Sequence, residues 1–243
     1  MAALLSSTGV LALLPCNVAG NPIPSSLGSN LIVNGDFEHG TEGWAFYILG
    51  ENGFYRIATE DPQPSYRKMW TGDQSLELYA TNEGLSYWCS TCGAGAKQTV
   101  DTTTWNMKYS FAVHGAASPR GMGWGFLPTV ASKLVFHTSA GDYTLVYYYI
   151  YYVTRIDFTK PYYGHILLLN TFNPDQQMWH YYEQDVKADF EACFGPITNQ
   201  LTLNSVDVEL ELLQPVFPYN APHVFWDAVS LQNRPVQDEC IWP

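Results

Sequence analysis

Charge is what this sequence has least of. Only 14% of its 243 residues are Asp, Glu, Lys or Arg, and 11 basic residues stand against 23 acidic ones, a formal net charge of −12. A nucleic-acid surface needs clustered Lys and Arg to displace phosphate counterions, so that partner class is excluded. Docking on an anionic membrane surface is disfavoured for the same reason. Long apolar runs are missing too: Ile166-Leu167-Leu168-Leu169 is bounded by His165 and Asn170, so no second stretch reaches membrane-spanning length after the N-terminus. No apolar pattern of helical period persists beyond about three turns. The sequence has no Gly-x-Ser-x-Gly, no phosphate-binding loop and no Asn-x-Ser/Thr sequon, and its six histidines are scattered without metal-motif spacing. A Ser or Cys nucleophile therefore has no motif behind it.

Aromatic residues fill the gap. They make up 15% of the chain, with 17 Tyr and 8 Trp, the reverse of a disordered composition. Turn residues punctuate short β-type runs throughout, the pattern of a sandwich or jelly roll. Strands are expected at 31–33, 53–59, 75–79, 96–100, 108–114, 133–138, 143–153, 164–170, 205–213 and 223–231. One helix is a candidate at 183–193, where Glu183/Lys187 and Lys187/Glu191 stand four residues apart; an extended strand there is the alternative. Segments 75–79 and 206–212 alternate polar and apolar residues and should be half-buried.

The N-terminus points to export. No Asp, Glu, Lys or Arg precedes Asp36, residues 1–14 are mostly apolar, Pro15 breaks the run, and Val18-Ala19-Gly20 offers small residues for cleavage. Residues 1–20 read as a signal peptide, 21–29 as a linker and 30–243 as one secreted, extracellular domain. Cys16 leaves with the signal. Cys89, Cys92, Cys193 and Cys240 then allow three pairings; the close pair suggests Cys89–Cys92 and, by elimination, Cys193–Cys240. Trp88-Cys89-Ser90-Thr91-Cys92 also looks like a redox motif, but Gly93-Ala94-Gly95 follows where that chemistry needs a helix. A zinc site lacks a second close pair.

Two motifs near opposite ends carry a resemblance. Asn30-Leu31-Ile32-Val33-Asn34-Gly35-Asp36-Phe37-Glu38 is followed by Gly43-Trp44, and Val224-Phe225-Trp226-Asp227-Ala228-Val229-Ser230-Leu231 stands near the other end. Together with 72–78, 98–100 and 109–113 they resemble the galactose-binding-like β-sandwich of carbohydrate-binding modules of families four, nine and twenty-two. Residues 140–195 depart from that pattern with a Tyr-rich expansion, and Ala228 replaces the usual Asn or Asp. The resemblance implies an all-β jelly-roll of two antiparallel sheets, binding of a polysaccharide or glycan, and a structural Ca²⁺ held by Glu38 and Asp227, with a contribution from around residues 72–74. Calcium takes six to eight hard oxygen ligands, so carboxylates suit it; a hydrogen-bonded turn without metal is the competing explanation. Trp44 belongs to the core.

Sugars are held by aromatic rings against their C–H faces and by polar side chains on their hydroxyls. In 147–152, Tyr147, Tyr149 and Tyr151 share one face. Ile150 lies on the other, which assigns the odd-numbered tyrosines to an open, ligand-binding face; ordinary sheet packing of all of them is the alternative. Trp88, Trp124 and Trp179 stand in Gly-rich or polar contexts suited to a cleft. Asp207, Glu209 and Glu211 alternate with Val206, Val208, Leu210 and Leu212, a carboxylate ladder open to three readings: a solvated face, hydroxyl recognition, or glycoside cleavage by a hydrolase or lyase. With no Lys or Arg nearby in sequence to separate the acidities, and no second acidic motif, non-catalytic, lectin-like recognition is the expected role.

Overall fold

The computed structural model describes residues 28–50, 52–59, 69–81, 89–116, 129–150, 162–168, 179–216 and 223–234. The proposed signal, residues 21–27 of the linker, Trp88, Trp124, Tyr151 and Cys240 lie outside them. Eleven strands are described: β1 (Ala45–Gly50), β2 (Gly53–Thr59), β3 (Gln74–Ala80), β4 (Cys89–Asp101), β5 (Met107–Ala116), β6 (Thr129–Thr138), β7 (Gly141–Ile150), β8 (Tyr163–Leu167), β9 (His180–Asp185), β10 (Leu203–Val216) and β11 (His223–Asn233). One helix, α1, spans Val186–Phe194. The strands form two sheets, in the orders β1-β4-β10-β6-β7-β8 and β2-β3-β11-β5-β9. All described pairs are antiparallel except β7–β8, which is parallel. The β-sandwich expected from the sequence is therefore the fold.

The core lies between the sheets. From β10, Val206, Val208, Leu210 and Leu212 are fully buried and meet Leu76, Leu78, Phe111, Val113 and Trp226 of the other sheet in one apolar cluster. Strand alternation explains this: residues two apart share a face, so one side of β10 seals the interior. Tyr109 and Ser132 hydrogen-bond through their hydroxyls across the sandwich.

Several expectations need correction. Residues 31–33 form a turn rather than a strand, although an isolated bridge joins Asn30 to Gln232 beside them. β1 and β9 were not expected. The helical candidate divides, because Asp185 caps α1 by accepting from the Ala188 N–H. Glu183 therefore lies on β9, paired with Lys108 rather than Lys187. Segment 75–79 is buried on both faces: Glu77 is sequestered with Arg56 and His223, each at 2.5 Å. Cys193 is a free thiol, so the Cys193–Cys240 bridge is not formed. Cys92 is buried and disulfide-bonded, and the side chain of Cys89 is not described.

The tyrosine assignment is reversed. Tyr147 and Tyr149 point into the main core with 0% and 1% exposure, while Tyr148 faces outward into a small cluster with Ala131, Val146 and Leu167. Ile150 misled because both faces of β7 are apolar. Tyr147 is held inside by Asp189, whose Oδ2 accepts from its hydroxyl at 3.0 Å. Burial raises the Asp189 carboxyl to about 6, against the opposing pull of that hydrogen bond. Tyr147→Phe should destabilise the fold by about 1–3 kcal/mol in urea titration, because it strands a buried acceptor; a neutral outcome would show that the hydroxyl does not matter to the core.

Candidate functional site

The ladder sits on the outer face of the six-stranded sheet, opposite the core. β10 is an inner strand, flanked by β4 and β6, and register decides its company. Asp207 lies across from Thr99 on one side and Val135 on the other; Glu209 lies across from Lys97 and Lys133; Glu211 lies across from Gly95 and Ala131. A fully solvated face, one of the three readings, is not found: Asp207 is 2% exposed and Glu211 9%. Carboxylates at such burial require partners. Asp207 has several: Thr99 Oγ1 donates at 2.6 Å, Lys97 Nζ lies at 2.5 Å and His137 Nε2 at 2.8 Å. Glu211 Oε1 accepts from the Tyr47 hydroxyl at 2.8 Å, and its Oε2 lies 2.5 Å from Lys133 Nζ. Glu209 Oε2 has a looser ion pair with the same ammonium, at 3.9 Å.

Local sequence makes this possible. Lys97, Thr99, Lys133 and His137 all have the parity that points away from the core. Tyr47 reaches Glu211 only because residue 95 is glycine: a Cβ there would fall 2.3 Å from the Tyr47 ring. Tyr148 and His165 stack nearby, with ring centroids 5.7 Å apart.

The environments separate the acidities. Burial alone would raise Asp207, but Lys97, Thr99 and His137 override it and hold the carboxyl below its ordinary range. Glu209 goes the other way: burial raises it, only partly opposed by Lys133. His137 is raised, chiefly by its bond to Asp207, with burial opposing and Asp142 assisting at 2.9 Å. The sequence singles out the three carboxylates, and the structure packs Tyr47, Lys97, Lys133 and His137, which it did not single out, against them. The lysines and His137 stand out as polar residues among apolar strand neighbours, but which strand lies beside β10 is not written locally.

The other expected site residues lie elsewhere. Trp179 belongs to the five-stranded sheet's outer side, with Trp70 at 6.4 Å and His114 at 5.6 Å between ring centroids. Trp70 also stacks on Tyr181 at 6.0 Å, nearly parallel. Glu38 and Asp227 meet at one turn, 70–74. Glu38 Oε1 accepts from the N–H groups of Asp73 and Gln74, at 2.8 and 2.9 Å. Asp227 accepts from Trp70 N, Thr71 N, Thr71 Oγ1 and Ala228 N. Gly72, at φ +59°, leaves the space that Glu38 enters. A carboxylate has about four lone-pair sites; those of Asp227 are filled by N–H and O–H donors, an arrangement that does not fit a calcium ion on this side chain. Among the described residues no group of three or more His, Cys, Asp or Glu is placed to hold a metal.

Two outcomes follow from this geometry. Asp227→Ala should lower stability by several kcal/mol, since four donors lose their acceptor, while excess chelator leaves the wild-type Tm unchanged; a chelator-dependent fall in Tm would restore a metal to the turn. The Asp207–His137 contact should also shape stability against pH. His137's folded value lies above its unfolded one, so its contribution is complete below about pH 6.5 and lost as pH rises through the folded value. Asp207's folded value is depressed, so its contribution is complete above about pH 3.9 and lost as pH falls further. His137→Asn should flatten the alkaline decline in denaturant titrations; an unchanged alkaline slope would assign that decline to another group.

No protein-family model matches the chain, and no curated protein matches it. Solved structures do. The carbohydrate-binding module TmCBM61 in complex with beta-1,4-galactotriose is 10% identical, with 84% of this chain and 97% of that chain covered and a TM-score of 0.47. The N-terminal CBM22-1-CBM22-2 tandem domain of Xyn10C from Paenibacillus barcinonensis is 12% identical, covers 91% of this chain, and has a TM-score of 0.39; this chain spans 50% of that one. The xyloglucanase domain of NopAA from Sinorhizobium fredii, in complex with cellobiose, is 9% identical over 79% of this chain and 98% of that chain, with a TM-score of 0.39. Carbohydrate-binding modules built as β-sandwiches thus stand among the structural neighbours of this chain, with an enzyme domain beside them.

Proposed function

We propose that this protein binds a neutral polysaccharide or glycan across the outer face of its six-stranded sheet. The observation that carries the reading is the carboxylate row of β10, held in fixed positions by Lys97, Lys133, His137 and Tyr47. Sugar hydroxyls both donate and accept. A surface that alternates carboxylates, ammonium groups and a phenol offers both functions at strand spacing, with the side chains already ordered. Tyr47, half-buried, adds a ring beside the polar row, suited to the C–H face of a pyranose. The net charge of −12 disfavours a polyanionic glycan. Export to the extracellular space is part of the same reading, supported by the apolar N-terminal run.

Affinity gels and titration calorimetry with neutral hexasaccharides (cello-, xylo-, laminari-, manno- and β-1,4-galacto-) test it. At least one should bind. Glu211→Gln should weaken that ligand by about 1–3 kcal/mol, as expected for one charged hydrogen bond, while Trp179→Ala, on the opposite sheet, leaves affinity unchanged. Loss of binding in Trp179→Ala with Glu211→Gln unaffected would move the site to the five-stranded sheet.

A further inference from the structure

We propose that the protein has a second glycan site: an open cavity at one end of the sandwich, beside α1, that seats the terminal units of a neutral oligosaccharide. The choice of a sugar rests on the carbohydrate reading; the place does not, because the cavity is separate from the sheet face.

The cavity, of about 500 Å³, lies between the β6–β7 turn, the C-terminal end of α1 and the 195–201 segment that follows it. Small-ligand sites run from roughly 300 to 1,000 Å³, so it suits a chain end rather than the length of a polysaccharide. Its base is aromatic. Val186 and Phe190, four residues apart, turn one side of α1 to the core, and Phe194 carries that side to the helix end. Phe190 is fully buried and packs against Tyr143 at 5.3 Å and Phe194 at 4.8 Å between ring centroids. Tyr143 and Phe194 are only partly buried, so part of each side chain is left to the cavity.

The rim is polar and uncharged. Ser139, Thr198 and Gln200 line it, and among the described lining residues none is Asp, Glu, Lys, Arg or His. An ion would lose hydration there with no side-chain counter-charge; a neutral ligand avoids that cost. Rings at the base with a carboxamide and a hydroxyl at the rim match a pyranose, which presents C–H groups on its faces and hydroxyls around its edge.

The walls are fixed in advance. The Ser139 N–H donates to the Thr202 carbonyl at 2.9 Å and its hydroxyl to the Gln200 carbonyl at 3.1 Å, while its Oγ accepts from the Thr202 N–H at 3.1 Å. The Leu201 N–H donates to the Thr198 carbonyl at 3.0 Å. Thr198 and Gln200 thus hold the wall through their carbonyls, and their exposed side chains are the groups that meet a ligand. A site ordered before binding has less to lose on binding. Register separates it from the carboxylate row. Asp142 pairs with His137 and Tyr143 with Phe136. Successive strand residues face opposite ways, so Asp142 stands with His137 beside Asp207 on the outer face, while Tyr143 packs against the core between the sheets.

The experiment titrates the full chain with disaccharides (cello-, xylo-, laminari-, manno- and β-1,4-galactobiose) by NMR and calorimetry. At least one should bind. Ala140→Trp, at an exposed turn position on the cavity wall, should abolish that binding by filling the space. Thr198→Ala and Gln200→Ala, both at exposed positions, should each weaken it by about 2–12-fold, as expected for one neutral hydrogen bond; they carry the test if Ala140→Trp does not fold. Glu211→Gln, on the sheet face, should leave it unchanged. A disaccharide weakened by Glu211→Gln and untouched by the three cavity variants sits on the face and overturns the second site. Cyclohexanol binding as tightly as the sugar overturns the ligand class. A hexasaccharide that binds while every disaccharide fails overturns the cavity and leaves the face standing. Failure of both ligand sets overturns both readings.

Discussion

The position of β10 inside its sheet constrains everything around it. With β4 on one side and β6 on the other, neither of its edges is free, and its apolar side chains close the core. The carboxylates on its other face cannot fan out into water as they would on an edge strand. Three like charges two residues apart then repel across a partly dry surface. The fold answers with cations from both neighbours at matching register, Lys97 from β4 and Lys133 and His137 from β6. The ion-pair network follows from placing an acidic alternation on an interior strand. Removing one of its cations would leave an uncompensated charge whose cost exceeds the worth of the pair itself.

Much of the fold was legible locally. β2 spans the expected residues, and 205–213 lies within β10, because apolar alternation and bounding turn residues are local signals. The misses have physical causes. β1 contains Ala45-Phe46-Tyr47-Ile48-Leu49, too uniformly apolar to alternate, and it follows directly on a turn. The tyrosine run fails on parity: when both faces of a strand pack against something, the side that bears an isoleucine no longer identifies the interior. Tyr147 faces the large core and Tyr148 a smaller cluster, and the difference is set by β6 and β8 rather than by β7 itself. The acidic ladder was legible as a row of like charges. Its lysines were not, because strand order places residues 97, 133 and 209 side by side and the chain does not.

The two terminal motifs meet at one turn. Glu38 and Asp227 come from segments far apart in sequence and converge on the 70–74 turn, each satisfied by backbone N–H groups. A turn exposes N–H groups that must find acceptors, and two carboxylates from different segments both supply acceptors and fasten those segments together. The Val229 N–H to Gly35 carbonyl bond, at 2.8 Å, ties the same ends a second time. The resemblance correctly brought these residues together; the donors it could not foresee are those of the turn.

Along β10 the degree of pairing falls and then rises again. Asp207 has three partners, Glu211 two, and Glu209, between them, one distant ammonium. The middle member is also the most exposed: its side chain is 18% exposed, against 3% for Asp207 and 11% for Glu211, so part of its hydrogen-bonding capacity is left to solvent. The fold leaves that capacity at the centre of the row, where Lys97 and Lys133 approach from both sides and Tyr47 stands over Gly95. The middle carboxyl is thus the one that strand register leaves facing solvent, with an ammonium on each side.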